Sequence, residues 1–350
     1  MSPNPTKAAT EATTPATTSP KTAEPTPTWE WKDVVWKSVF LLSAWHLMAL
    51  YALIYVIPKA SIASTLTLWI ALWFFSGLGI TAGAHRLWAH RSYKARLPLQ
   101  VFLALCNSMA FEGCIYDWSR DHRLHHKASD TSADPHNSNR GFFYAHCGWL
   151  LVRKTKTVID EGRKTNMSDL DADPLVQFQK KHYLLSVTIM CYIFPVVLGY
   201  VLFDSAWEGF WIGVMFRHVW VLHMTWSVNS VAHFFGYKPY DRNSRAMENI
   251  FVSIGAIGEG WHNYHHRYPT DYATGELGFT GQWNPTKAFI DTMAFVGLAY
   301  DRKRSTTAAA TREKNRIAMD QDALRGILQP TPVEQFINWA FYGHTHKSVI

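Results

Sequence analysis

Eight of this chain's seventeen histidines fall in three short windows: His85 and His90; His122, His125 and His126; His262, His265 and His266. Neutral imidazole is the commonest protein metal ligand, and it suits iron, copper and zinc. Eight imidazoles exceed what one ion coordinates, so the pattern implies two. In a helix, residues three and four apart share a face, so each trio can present two or three nitrogens to one place. His85 and His90 are five apart and are expected to straddle a helix end and serve different positions. His233 is a ninth candidate, with Asn229 as its i−4 neighbour on the same face. His46, His182, His344 and His346 stand alone and read as packed or solvated. No paired carboxylates accompany the set, which points away from calcium and magnesium. Structural zinc normally takes four ligands and often uses Cys. Two redox irons with a position open to dioxygen suit nine imidazoles better, and ligand type alone leaves zinc open.

The elements that must position these groups are apolar. Stretches 39–57, 62–82, 184–203 and 210–231 each approach the ~20 residues that a bilayer requires. Only Pro58, Lys59, Ala60 and Ser61 separate the first two, which predicts a tight helical hairpin. Pro195 predicts a kink in the third. The fourth is interrupted by Arg217, His218 and His223. The stretch Leu97–Phe111 is too short to span and is expected at the interface or packed on the polar portion. Charged residues make up only 17% of the chain, against about 25% in typical soluble proteins. The loop between the first two stretches carries one Lys, whereas the 83–183 insert and the tail after 232 carry many Lys and Arg. This asymmetry places insert, tail and both termini in the cytosol. All three histidine windows then share one side of the membrane. A transporter would instead line a path within the spans with such groups.

The net charge of +7 suits an anionic membrane face or a phosphate-bearing ligand. Cys106, Cys114, Cys147 and Cys191 form no C-x-x-C pair, so no disulfide framework is expected. Residues 1–28, rich in Thr, Pro and Ala, cannot bury a core and are expected to be disordered. The organisation expected is this tail, a membrane domain over 29–303 and a cytosolic tail over 304–350.

In this order and spacing, GITAGAHRLWAHR (79–91), DWSRDHRLHHK (117–127), ADPHNSNRG (133–141), GWLLVRK (148–154), NSVAH (229–233) and GEGWHNYHH (258–266) resemble the membrane acyl-CoA desaturases of the stearoyl-CoA type. The resemblance covers about residues 30–303. It implies an all-α integral membrane protein of four transmembrane helices with a cytosolic helical cap holding a diiron site. It assigns the two irons to His85, His90, His122, His125, His126, His233, His262, His265 and His266, with Asn229 beside the metal through water. It implies a cis double bond, most often delta-9, made in a saturated fatty acyl-CoA with dioxygen and two electrons. Cytochrome b5 and NADH-cytochrome b5 reductase would supply those electrons, in the endoplasmic reticulum membrane and with no nucleic-acid partner. Trp118 and Thr225 would shape a bent tunnel, Trp73 and Gly77 its closed end, and Arg120, Arg153 and Lys154 would meet the CoA head. Glu112-Gly113 stands where many members carry Gln-Asn, which puts Glu112 near the bend and leaves the bond position open. The same machinery acting at another carbon, or as a lipid hydroxylase, is the alternative within this class. A histidine-rich metal transporter is the alternative outside it.

Overall fold

The computed structural model describes residues 30–277, 281–305 and 307–325. The expected disorder of residues 1–28, and His344 and His346, lie outside them. Among the described residues, three helices are long and apolar enough to cross a membrane: Trp36–Lys59, Ile62–Ala89 and Tyr183–Phe203. The first two are separated only by Ala60 and Ser61, and Ser61 caps the second through the Ser64 amide. The first and third spans present large apolar side chains outward, including Leu47, Leu53, Leu184 and Val201. With no aqueous hydrophobic driving force on that face, such residues are at home only in lipid. The second span is the inner one. Gly79 lets it approach the helix Leu97–Ala110 so closely that a Cβ there would lie 2.2 Å from the Asn107 amide nitrogen.

The fourth expected span is a continuous helix over 206–229. It packs on the other three through Ile212, Phe216 and Val219, but Arg217, His218 and His223 keep it from being apolar enough to qualify on composition. Arg217 is fully buried, and its guanidinium donates to Met109 O at 2.6 Å, Cys191 O at 3.3 Å and Gly213 O at 2.9 Å. Cys191 O is the carbonyl that loses its i+4 donor because Pro195 has no N–H. The kink expected there appears as a π-helical segment, Thr188–Ile193, just before the proline. His218 Nδ1 lies 3.2 Å from Ala110 O. Arg217 and His218 therefore satisfy carbonyls at the end of Leu97–Ala110 that the helix itself cannot pair.

Leu97–Ala110 ends at Phe111 in the left-handed region. The chain then bends by 83° into Ile115–Ala128, the first histidine helix. The second is the short helix His262–Arg267. One two-stranded antiparallel clip pairs Lys94 with Tyr300 and Ala95 with Ala299, tying the end of the membrane domain to the exit of the second span. The tail is not wholly solvated: the helix Thr307–Arg325 buries Ala310 against Tyr240 and Tyr264. All four cysteines are free.

Candidate metal centre and tunnel

The nine histidines converge as two groups. His85, His90, His122, His126 and His265 form one, and His125, His233, His262 and His266 the other, with the ligand atoms of each group within 4.8 Å of one another. The division follows helix geometry. On Ile115–Ala128, His122 and His126 are one turn apart and serve the first group, while His125 points to the second. On His262–Arg267, His262 and His266 serve the second group and His265 crosses to the first. Each helix thus contributes to both.

His85 and His90 are not separated, contrary to their five-residue spacing. The second span ends in a π-helical segment, Gly79–Ala89, and the His90 amide donates to His85 O at 3.0 Å, an i to i−5 bond. Such a turn brings residues five apart onto one face, and the two rings sit 4.8 Å apart.

The donor chemistry fits a cation. Paired Nε2 atoms approach to 2.8 Å (His90 and His122), 2.9 Å (His85 and His265; His126 and His265) and 3.1 Å (His233 and His262; His262 and His266). Two nitrogens at about 2.1 Å from one ion and at right angles to each other lie about 3.0 Å apart. Carboxylates face the other ring nitrogen of three of the nine. His85 Nδ1 is 3.0 Å from Glu259, His125 Nδ1 is 2.9 Å from Asp134, and His233 Nδ1 is 3.5 Å from Asp130. At His85 and His125 the carboxylate fixes the proton on Nδ1 and leaves the Nε2 lone pair facing the other imidazoles, an arrangement that a shared cation makes favourable. His125 Nε2 is buried without any hydrogen-bond partner. Burial, reinforced by the neighbouring imidazoles, holds His90, His122, His126, His262, His265 and His266 well below the ordinary imidazole pKa. They stay neutral, as ligands must. Burial alone would raise the Glu259 pKa, but Arg86 and His85 outweigh it and keep the carboxylate ionised.

A cavity of about 560 Å³ runs beside both groups and is lined by His85, His122, His125 and His262. Its lining includes the part-exposed Asp117, Arg120, Asp121 and Lys154 and the buried Ile80, Leu222 and Ala256. A second cavity of about 490 Å³ shares Arg120, Asp121 and Lys154. Trp118, Thr225, Glu112 and Asn229 also line the main cavity. Trp118 stacks on His122 with centroids 4.9 Å apart, and Thr225 donates to Glu112 at 2.8 Å. Burial pushes the Glu112 carboxyl up to about 8, against the opposing hydrogen bonds of Thr225 and Trp118. At neutral pH it is therefore chiefly the neutral acid. Arg120 and Lys154 both pair with Asp121. Three candidates fall outside the cavity wall: Arg153, which is exposed, Trp73 and Gly77.

The motifs contained Glu259 and Asp134 without revealing their roles, because the contacts to His85 and His125 depend on long-range packing. An acidic residue three positions before His262, inside a Gly-Glu-Gly turn, was the available signal. His46 also has partners: a linear row runs His46 Nε2 to His223 Nε2 at 3.0 Å, His223 Nδ1 to His146 Nε2 at 3.0 Å, and His146 Nδ1 to Ser230 Oγ at 2.8 Å. His223 gives one ring nitrogen to each neighbour, so this row does not converge on an ion.

A helical membrane bundle that holds two polyimidazole sites against a narrow tunnel with a charged mouth defines a membrane-bound metalloprotein acting on a long amphipathic molecule. The fatty acid desaturase family profile matches residues 59–274. The chain is 51% identical over 288 residues to stearoyl-CoA desaturase 5 of Bos taurus, covering 81% of this chain and 84% of the relative. It is 48% identical over 286 residues to an acyl-CoA delta-9 desaturase of Acheta domesticus, covering 81% and 79%. It is 50% identical over 281 residues to stearoyl-CoA desaturase of Homo sapiens, covering 79% and 76%. The chain belongs to the fatty acid desaturase family.

Proposed function

We propose that this protein is a dioxygen-dependent acyl-CoA desaturase that places a cis double bond at the delta-9 position of a saturated long-chain fatty acyl-CoA. The observation that carries the reading is the passage of one apolar tunnel, charged at its mouth, directly past both imidazole groups.

The nine histidines would hold two irons, which supply the oxidising power needed to remove hydrogen from an unactivated methylene. The chain's own residues do the rest. Glu259 and Asp134 fix the tautomers of His85 and His125, and Asp130 faces His233. Arg120 and Lys154 exchange Asp121 for the anionic CoA head, and Arg153 joins them from the exposed side. Trp118, Thr225 and the neutral Glu112 shape the bend that presents one pair of carbons to the metals. Asn229, on the cavity wall, would hold a water beside the metals. The apolar inner wall excludes bulk water, so the oxidant is used on the chain and not lost. Two electrons enter from cytochrome b5 and its NADH-dependent reductase. Charge asymmetry supports placing both termini and the metal centre in the cytosol; the membrane proposed is the endoplasmic reticulum, and the division proposed is 1–28, 29–303 and 304–350.

The test is expression in yeast lacking its own desaturase, with fatty acids identified by gas chromatography–mass spectrometry and double-bond localisation. A new cis-9 monoene is expected. A double bond elsewhere, or a hydroxylated chain, would keep the metal centre and overturn the regiochemistry. No modified acyl chain, with iron bound and donor present, would overturn the reading.

A further inference from the structure

The helix His262–Arg267 carries three of the nine histidines, and its back is gripped through Asn263 and Tyr264. Asn263 is fully buried. Its Oδ1 accepts from the Tyr240 and Asp241 amides at 2.8 and 3.0 Å, and its Nδ2 donates to Asp241 O and Ala246 O, both at 2.8 Å. The Tyr264 amide donates to Glu248 at 2.7 Å and its hydroxyl to Asp271 Oδ2 at 2.8 Å. Asp271 is buried too, and the chain beyond Lys303 closes over it. The Ser305 amide donates to Asp271 Oδ2 at 2.9 Å, Arg304 Nη1 donates to Oδ1 at 3.1 Å, and the Ser305 hydroxyl meets the Tyr264 phenol. The helix Thr307–Arg325 follows and buries Ala310 against Tyr240 and Tyr264. Arg304, Ser305 and this helix thus form a strap over the back of a ligand helix.

The strap begins in a sequence that a class of enzymes reads. Arg302, Lys303 and Arg304 stand three, two and one residues before Ser305. Basophilic protein kinases bind an extended strand with basic residues ahead of the acceptor hydroxyl, because their clefts carry carboxylates. Residues 301–305 are in neither helix nor strand, 301–304 are exposed, and Ser305 is half-buried. Segments near chain ends open locally at small cost. Peeling this strand breaks the contacts of Arg304 and Ser305 and the bond from the Lys303 amide to Ser92 O at 2.8 Å. A phosphate on Ser305 would oppose the return, since about −1.5 to −2 charges would have to settle beside the buried Asp271 carboxylate. The neighbouring arginines do not offset that charge: Arg302 is paired with Asp291 and Arg304 with Asp271.

We propose that Ser305 is a phosphorylation site for a basophilic serine kinase, and that its phosphate holds the strap off Tyr264 and loosens the histidine helix. In the transfer, Ser305 Oγ attacks the γ-phosphorus of a nucleoside triphosphate, the bond to the leaving diphosphate breaks, and the hydroxyl proton passes to the kinase. This rests on the metal-binding histidines and the cytosolic placement of the reading above. Ordinary packing is the competing account, in which the basic run serves only the ion pairs of Arg302 and Arg304.

Sealed yeast microsomes bearing the full chain would be treated from outside with ATP and the catalytic subunit of cyclic-AMP-dependent protein kinase. Phosphate would be located by mass spectrometry. Metal extraction by a chelator, and amide hydrogen exchange over 262–267 and 307–325, would then be compared with untreated protein and with Ser305→Ala. Phosphate on Ser305 is expected, with metal extracted about tenfold more readily and exchange raised over both stretches, all reversed by a phosphatase. Ser305→Ala keeps its amide for Asp271, so it should hold metal as wild type does and be unmoved by the kinase. Ser305 left unmodified, or phosphorylated protein with unchanged extraction and exchange, would overturn the proposal. Phosphorylation in detergent but not in sealed microsomes would put Ser305 across the membrane from the kinase and overturn the topology and the proposal together. If the protein makes no double bond, metal extraction and exchange still decide about Ser305, and the desaturase reading alone falls.

Discussion

Glu259→Gln is the sharpest test of how the first histidine group is held. Glu259 Oε1 accepts from Arg86 Nη2 at 2.7 Å and Nε at 3.0 Å, and Oε2 faces His85 Nδ1 at 3.0 Å. Arg86 has no acceptor capacity, so the amide of a glutamine must turn its oxygen toward Arg86 and its NH₂ toward His85. That NH₂ demands a lone pair on Nδ1 and drives the imidazole proton to Nε2, the atom that faces the metal. The side chain's shape is preserved while the ligand is disabled. Loss of such a supporting carboxylate typically weakens metal binding ten- to a hundred-fold, about 1.4–2.8 kcal/mol. Arg86 keeps Tyr272 O at 3.0 Å and Asn284 Oδ1 at 3.3 Å, so the fold should survive. The assay is metal content by mass spectrometry during titration with a chelator, alongside turnover. Wild-type metal retention in folded Glu259→Gln would refute the tautomer argument.

Asp134→Asn should act alike on His125, depleting the second group, and metal analysis at limiting chelator would show it. Removing both ions should lower the thermal midpoint, since a ligand at a thousand times its Kd stabilises by about 4 kcal/mol; equal midpoints with and without chelator would contradict this. Because Glu112 is pushed up to about 8 by burial from an ordinary value near 4.5, the unfolded chain releases its proton first as pH rises, and the folded state is penalised through that window. Glu112→Gln should therefore flatten the fall in stability between about pH 4.5 and 8, measured as thermal midpoint against pH. Trp118→Ala should spread the double bond over neighbouring carbons, read by product localisation, while metal content holds.

The chemistry was more legible in the sequence than its geometry. The histidine types and their i, i+3 and i+4 spacings pointed to two ions and to helices that carry the ligands. The spacing of His85 and His90 misled, because a π-helical segment redefines which residues share a face, and the packing that produces it is not local. Arg217 and His218 looked like flaws in a fourth span. They are the donors for the open end of Leu97–Ala110 and for the carbonyl orphaned by Pro195, a pairing between distant segments. The space beside Gly77 is filled by Ile257, 180 residues away, a contact that no local pattern announces.

The crossing of ligands between the two histidine helices also bears on assembly. Since His125 leaves its helix for the second group and His265 leaves its own for the first, neither ion can settle without ordering both helices. The first ion bound thus lowers the conformational entropy lost on binding the second. Metal uptake should be cooperative, with chains carrying a single ion scarce at every stage of loading.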